Sequence, residues 1–517
     1  MAVQKGHNQS FPLTFKLSAL LLVSLQFSPS LYAGEKENRI INKAINAYGG
    51  DKLLQLKNLT YQDEINHFFD MQSGHTLQGP MSLHLNHYQI EVNIDLDNKR
   101  KAFRRASTRL VGNHGHENLT TTHHIFKEGK GFKLDHCQQT YIQADNINFA
   151  NADLGFSQML DPMIIKQLAN DRENSQWIDT AYIQGNAHDV LTVNAGAPDE
   201  YTVYVNQTNG HLSRMLQKRG QQTRTYDFLD HQQTNGILWA KQLVVSANLQ
   251  PIHHSTKRKL NVNNLDGTQF SIPSDYLLTN LAPMLDVSKP LINEIAKGVY
   301  FIGQGWGYSL FIDIGGYYVT AGAWHEHGAA LNWQETLQLL REITQNKKPV
   351  AKHIVTHHHT DHMAGLNEIV EHGANLVLHP SEIPAVQEFL SQKIKDDRFE
   401  PIKTTRYLAD GKIMLFDVPT SHASHNLAIY LPEHKTLFTE DIFGSSYESA
   451  LDPINSWPNL DAYQRLKKLN ARINELDLTV EHYVSSHHRR ILTQADIDRA
   501  LSTSCPTPQE RKQRLFE

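Results

Sequence analysis

Two rhythms of apolar and polar positions divide the chain. Glu35–Tyr48 carries apolar residues at helical spacing and stops at Gly49-Gly50, a natural helix end. From there to about Pro273, short stretches alternate with period two between turn residues, as strands buried on one face do. Tyr201–Val205, the turn Asn206–Gly210 and His211–Leu216 make a hairpin pattern, and Leu238–Ala247 and Lys257–Val262 add strands before Phe270–Pro273 closes the run. An antiparallel sheet, curled or packed on the N-terminal helix, is expected. The adjacent pairs His123-His124 and His253-His254 would face opposite ways in strands, which disfavours shared metal ligation.

From about Pro290 strands alternate with helices. Val299–Ile302, Ser309–Ile314 and Tyr317–Thr320 read as strands. A helix follows, capped by Asn332 with Glu335 three residues on, its apolar face carried by Trp333, Leu337, Leu340 and Ile343, and stopped at Pro349. Val350–Thr356 reads as a buried strand, Gly365–His372 as a helix and Asn375–His379 as a strand. Lys412–Val418, Asn426–Leu431, Thr436–Thr439 and His482–Ser485 continue the strands, with helices at Asp461–Glu475 and, ending the chain, from Thr493. A layered domain with its site along one rim is expected.

Length changes the picture first: 517 residues exceed one compact core. The expected division is a leader at 1–33, a β-rich domain at 34–288 and a second domain at 289–517. The leader has Lys5 and Lys16, the apolar stretch Leu17–Phe27 and a small residue at Ala33, the pattern of a cleaved secretory signal. That stretch is shorter than the ~20 residues that span a bilayer. Export to the periplasm or medium is therefore expected, with no membrane span after processing. A net charge of −5 gives no basic field for nucleic acid, which is excluded as a partner. Cys137 and Cys505 lie outside every metal-like cluster, and whether they pair is not readable from sequence.

The chemistry is concentrated in His357-His358-His359-Thr360-Asp361-His362. Imidazole and carboxylate suit zinc and related ions. His357 and His359, two apart on extended chain, point to one side, and His358 points away. Asp361 and His362 follow where the chain turns. Three later candidates also stand at strand ends: His422, Asp441 and His487.

These residues resemble the metallo-β-lactamase superfamily over roughly Gly298 to Leu492. Ile354–Gly365 is similar to the signature loop, Ser421–Glu433 to the third-histidine segment, Leu437–Asp441 to the bridging-aspartate segment and Val484–His487 to the last-histidine segment. The resemblance implies an αββα four-layer sandwich, giving an α+β chain overall. It implies one ion on His357, His359 and His422 and a second on Asp361, His362 and His487, with Asp441 bridging. It also places the ligands at His422 rather than His425, and at His487 rather than His488. Two departures stand out: Glu440 occupies a usual glycine position, and no acidic residue follows the strand at Tyr317–Ala321, where the family often has one.

Two divalent ions, zinc before iron or manganese, would lower the pKa of a bridging water enough to supply hydroxide. Asp361 would be the catalytic proton acceptor. The expected activity is hydrolysis of an ester, thioester, lactone or related bond in a small molecule. A periplasmic metal- or lipid-binding protein without turnover, and a β-lactamase, are the alternatives. Histidine at 359 disfavours the redox branch, where glutamate is usual. Asp441 without a nearby cysteine points away from β-lactamases, towards glyoxalase-II, lactonase and esterase-like branches. Ala47–Gly50 and Phe270–Pro273 resemble lipoprotein-carrier sheets, which implies a bacterial envelope setting and an apolar ligand. Trp324, His325, Glu326, His327, Tyr447 and Trp457 are rim-loop positions that read first as ordinary loop residues.

Overall fold

The computed structural model describes residues 34–72, 81–111, 119–220, 222–280, 288–305, 307–324, 331–443, 460–487, 490–502 and 506–517. The leader, His325, Glu326, His327, Tyr447, Trp457, His488 and Cys505 lie outside them. Among the described residues no helix is long and apolar enough to cross a membrane.

Among the described residues the N-terminal part forms one 15-stranded sheet. Its central strand, Asn58–Gln72, pairs on one side with Met81–Asp95, from which the chain meanders outward to Thr140–Gln143. A second meander starts at Ser175–Ile183 and works back to Gln250–Ser255, which pairs with the other side of the central strand through Ile65 and Ser255. The hairpin Tyr201–Asn206 and Leu212–Arg219 forms as its alternation predicts.

One face of this sheet is covered by Glu35–Ala47, whose Ile40, Ile41, Ala44 and Ile45 are buried. It is joined there by a helix that the reading of this stretch as strands passed over, Asp161–Asn170. Pro162 opens it, and Ile164, Ile165 and Leu168 complete an apolar stripe at helical spacing. Beneath it, buried Arg258 donates to the carbonyls of Ala240 and Met159, each at 2.6 Å, and to the Tyr61 hydroxyl at 3.3 Å. Tyr61 donates in turn to Asp63, and Tyr48 to Asp161 at 2.8 Å.

The C-terminal part holds two sheets face to face. The first runs, in spatial order, Leu291–Ala296, Val299–Gln304, Gly307–Asp313, Tyr318–Ala321, Val350–Ile354, Asn375–Leu378 and Phe399–Pro401, with parallel pairing from Tyr318 onward. The second comprises Thr405–Leu408, Ile413–Asp417, Leu427–Leu431, Thr436–Phe438, His482–Val484 and Leu492–Thr493. Phe301, Leu310, Ile354, Leu415, Ile429 and Phe438 pack between them. The helices Trp333–Thr344 and Leu366–Glu371 cover the outer face of the first sheet, and Leu460–Glu475 and Gln494–Ser502 that of the second. This is the expected αββα layering.

The capping box of Asn332 and Glu335 is present. Ile343, expected on the buried face, is 45 % exposed; Thr336 is buried in that helix instead, because the helix touches the sheet mainly through its first two turns. The helix from Thr493 does not end the chain. A further capped helix, Pro508–Phe516, returns to the N-terminal sheet, where Leu515 packs with Ala106 and Leu119. Arg511 donates to the Leu119 carbonyl at 2.9 Å and Arg514 to that of His136 at 3.0 Å.

Candidate metal centre

The strand Val350–Ile354 ends just before the histidine run, and pairing of Val355 N–H with the Val377 carbonyl prolongs its extended course. His357 and His359 therefore project to one side. His358 projects to the other and meets buried Glu382 at 2.8 Å. The chain then turns through Thr360–Met363, which brings Asp361 and His362 round. Gly365 follows in close contact with the next layer. A Cβ there would stand 2.9 Å from the Trp324 carbonyl and 3.0 Å from Trp333 Cβ, so the signature loop seats only with glycine.

His422 lies on the loop between Ile413–Asp417 and Leu427–Leu431. The Asn426 amide braces that loop by donating to Thr420 Oγ1 and the Ala423 carbonyl. Asp441 follows Thr436–Phe438, its carbonyl held by Arg465 from the outer helix at 2.6 Å. His487 follows His482–Val484, its amide donating to Ser485 Oγ at 3.3 Å. Neighbouring strands of the second sheet thus deliver these partners to one rim.

The other six predicted residues gather around the Asp441 carboxylate. Oδ2 faces His422 Nε2 at 2.8 Å and His357 Nε2 at 3.7 Å. Oδ1 faces His487 Nε2 at 2.5 Å and His362 Nε2 at 2.9 Å. His357, His359, His422 and Asp441 offer ligand atoms within 4.8 Å of one another, and so do Asp361, His362, Asp441 and His487. Asp361 Oδ2 stands 3.6 Å from His362 Nε2 and 3.7 Å from His487 Nε2.

The residues fit a pair of divalent ions. His357 and His422 aim their Nε2 atoms at each other from 3.1 Å, about the spacing of two nitrogens on one tetrahedral zinc at ~2.0 Å bonds. Both ring nitrogens of buried His362 and Oδ1 of buried Asp441 lack hydrogen-bond geometry, although they approach at ion-pair distance. Such groups are costly unless a cation satisfies them. Burial, followed by the neighbouring histidines, holds the His357 and His359 pKa values well below the usual histidine value. Burial also disfavours charge on His362 and Asp441. The carboxylates around His362 outweigh it and push that pKa well up, while the histidines around Asp441 hold its carboxyl well down.

Two contributors were not assigned a role from sequence. Glu440, fully buried, accepts from Thr356 Oγ1 and places Oε2 3.3 Å from His362 Nδ1. It thereby supplies a carboxylate behind the ring, although no acidic residue follows the strand Tyr318–Ala321. Its signal was the departure from glycine, at a residue whose φ of 36° is left-handed. Trp324, read first as an ordinary loop residue, is buried at the site; its ring packs edge-on against His362 and His487, 5.1 Å from each, and its Nε1 donates to the Tyr308 carbonyl.

Two facing sheets flanked by helices, with a histidine–aspartate cluster at the strand ends, define a four-layer αββα architecture with a candidate metal site on one rim. Residues 299–487 match the metallo-β-lactamase superfamily, and in this C-terminal region the chain belongs to it. Similar solved structures include the DIM-1 metallo-β-lactamase, at 17% identity over 42% of this chain and 96% of that one, with a TM-score of 0.31. A metallo-β-lactamase from Pontibacter korlensis shows 19% identity over 42% and 98%, with a TM-score of 0.30. FIM-1 from Pseudomonas aeruginosa, in a mono-zinc form, shows 15% over 44% and 97%, with a TM-score of 0.32. No curated protein matches the chain.

Proposed function

We propose that this chain is an exported hydrolase that uses two zinc ions to cleave an ester, thioester, lactone or related bond in a small molecule. The observation that carries the reading is the Asp441 carboxylate, which turns one oxygen to His422 and the other to His487. His357, His359 and His422 would hold one ion and Asp361, His362 and His487 the other, shared through Asp441. When bound, such a pair supplies Lewis acidity and an activated water at neutral pH.

The chain's own groups do the rest. Asp361 has the most open side chain of the seven, 23 % exposed, and is placed to take a proton on the solvent side. Trp324 closes the floor beneath His362 and His487 against water. Glu440 and Thr356 hold the inner edge. The leader pattern at 1–33 supports export, and the N-terminal sheet is proposed to carry an apolar ligand.

The test is a panel of carbonyl esters, thioesters, lactones, β-lactams and phosphodiesters offered to zinc-loaded and chelator-stripped protein. Turnover of an ester, thioester or lactone that disappears on stripping is expected. Tight zinc retention with no turnover of any substrate would replace the enzyme with a metal-binding protein.

A further inference from the structure

The inward face of the N-terminal sheet holds two arginines with no carboxylate at ion-pair distance among the described residues. Along Asn58–Gln72 every second residue faces the core, so His67 follows buried Tyr61 and Ile65 on that face. Directly paired residues share a face, which places His253 beside His67 and Tyr88 beside Ile65. By the same rule Arg105, paired with buried Ile90, points inward. So does Arg224, two residues before buried Tyr226.

Aromatic rings form the wall behind these cations. Phe156 lies parallel to His253, with centroids 6.4 Å apart, and edge-on to Tyr88 at 6.5 Å. His67 stands 4.6 Å from His253 and 5.2 Å from Tyr88. Arg105 lies over the Tyr88 ring, 5.2 Å from its centroid, and donates to Thr122 Oγ1 at 3.1 Å. Its Nε is buried without a hydrogen-bond partner, and so is that of Arg224. Arg258, deeper on the same face, has Asp63 at 3.7 Å. Burial lowers the Arg105 pKa, with Tyr88 opposing. Burial and then the two arginines hold His67 below the usual histidine value, against its bond to the Ile252 carbonyl. His253 is held down to about 3 by burial, His67 and Arg224. At neutral pH these histidines are uncharged, and the arginines alone set the charge of this face. Arginine withdrawn from water is rarely left unpaired, because the lost hydration goes unreplaced.

We propose that this face binds an organic anion, a carboxylate or phosphate on an apolar body, with its charge towards Arg105 and Arg224 and its body against Tyr88, Phe156 and His253. Guanidinium forks match the paired oxygens of either head group. His67, His253, Arg105 and Arg224 are all half-buried, so the face is open to a ligand. The inference rests on the reading that the N-terminal sheet carries an apolar ligand, and it gives that ligand a charge.

The experiment compares decanoate, decyl phosphate and 1-decanol, which share a tail and differ in the head, by calorimetric titration of full-length zinc-loaded protein. Both anions are expected to bind at least about tenfold more tightly than the alcohol, the scale of one charge-assisted hydrogen bond; the tighter anion names the head group. Arg105→Gln and Arg224→Gln should each shrink that preference and leave decanol affinity unchanged, while Arg224→Lys, which keeps the charge, should retain most of it. Should Arg105→Gln fold poorly by circular dichroism, Arg224→Gln carries the test. Equal affinity for acid and alcohol in the parent overturns the anion site and leaves the apolar-ligand reading standing. A preference that survives in every folded glutamine variant also overturns it, since anions held at the zinc centre would behave that way. Binding of none of the three removes the apolar-ligand reading and this inference together.

Discussion

Glu440 stands 3.3 Å from Nδ1 of His362, while Asp441, its neighbour in sequence, stands 2.9 Å from Nε2 of the same ring. Consecutive side chains on a strand point apart. The left-handed φ of 36° at Glu440 lets both reach one imidazole from opposite edges. A carboxylate on the far nitrogen fixes the ring and makes it a better ligand. Glu440→Gln is expected to weaken the second ion about 10–100-fold, as loss of such a partner does elsewhere. Competition with a chromophoric chelator measures this, and unchanged affinity would remove Glu440 from the centre.

In the proposed reaction Asp361 would take the proton. Asp361→Ala is expected to abolish turnover of whichever ester, thioester or lactone the panel identifies. Zinc binding proposed at His357, His359 and His422 should be retained in that variant. Normal kcat in that variant would sink the assignment.

Arg258 ties the N-terminal core together. It reaches Ala240, Met159 and Tyr61 by hydrogen bonds and lies 3.7 Å from Asp63, with no exposure of either side chain. Removing one partner of a buried ion pair leaves the other charge stranded, at a cost of about 3–5 kcal/mol. Arg258→Met should lower the urea midpoint of the N-terminal unfolding step correspondingly. A shift worth less than about 1 kcal/mol, the scale of an exposed pair, would contradict this account.

Acid should destabilise the protein through its buried histidines. Burial holds His353 and His253 down to about 3, and His124 and His136 to about 4. The unfolded rings titrate near 6.5. As pH falls below that value, the unfolded chain binds protons that the folded chain refuses, so stability falls from about pH 6.5 towards 4. Each fully buried ring costs about 1.4 kcal/mol per pH unit in that window. Asp63, raised by burial to about 6, works the other way over part of it. The unfolding temperature should drop steadily between pH 6.5 and 4.5, and His353→Gln should lessen the slope. A flat profile would show that these rings protonate in the folded state.

Short-range features are legible in the sequence. The capping box at Asn332, the hairpin around Asn206–Gly210 and the run His357–His362 each announce themselves within a few residues, because caps, turns and strand alternation are short-range physics. The residues that gather around Asp441 are legible for a related reason: they stand at or just beyond strand ends, and strand ends share a rim.

Other features depended on what lies across the fold. Asp161–Asn170 and Pro508–Phe516 are helices because particular sheet faces await them. Their apolar stripes are short; Thr507 and Glu510 do mark the start of the second, but nothing local says which sheet either helix packs on. That Trp324 packs against His362 and His487, that Glu440 shares His362 with Asp441, and that His379 stacks on His425 all join residues from different elements. Sequence alone determined which chemistry is present and which strand ends carry it. Tertiary structure decided which nitrogen faces which oxygen, since ångström-scale placement comes from the packing of one sheet on the other.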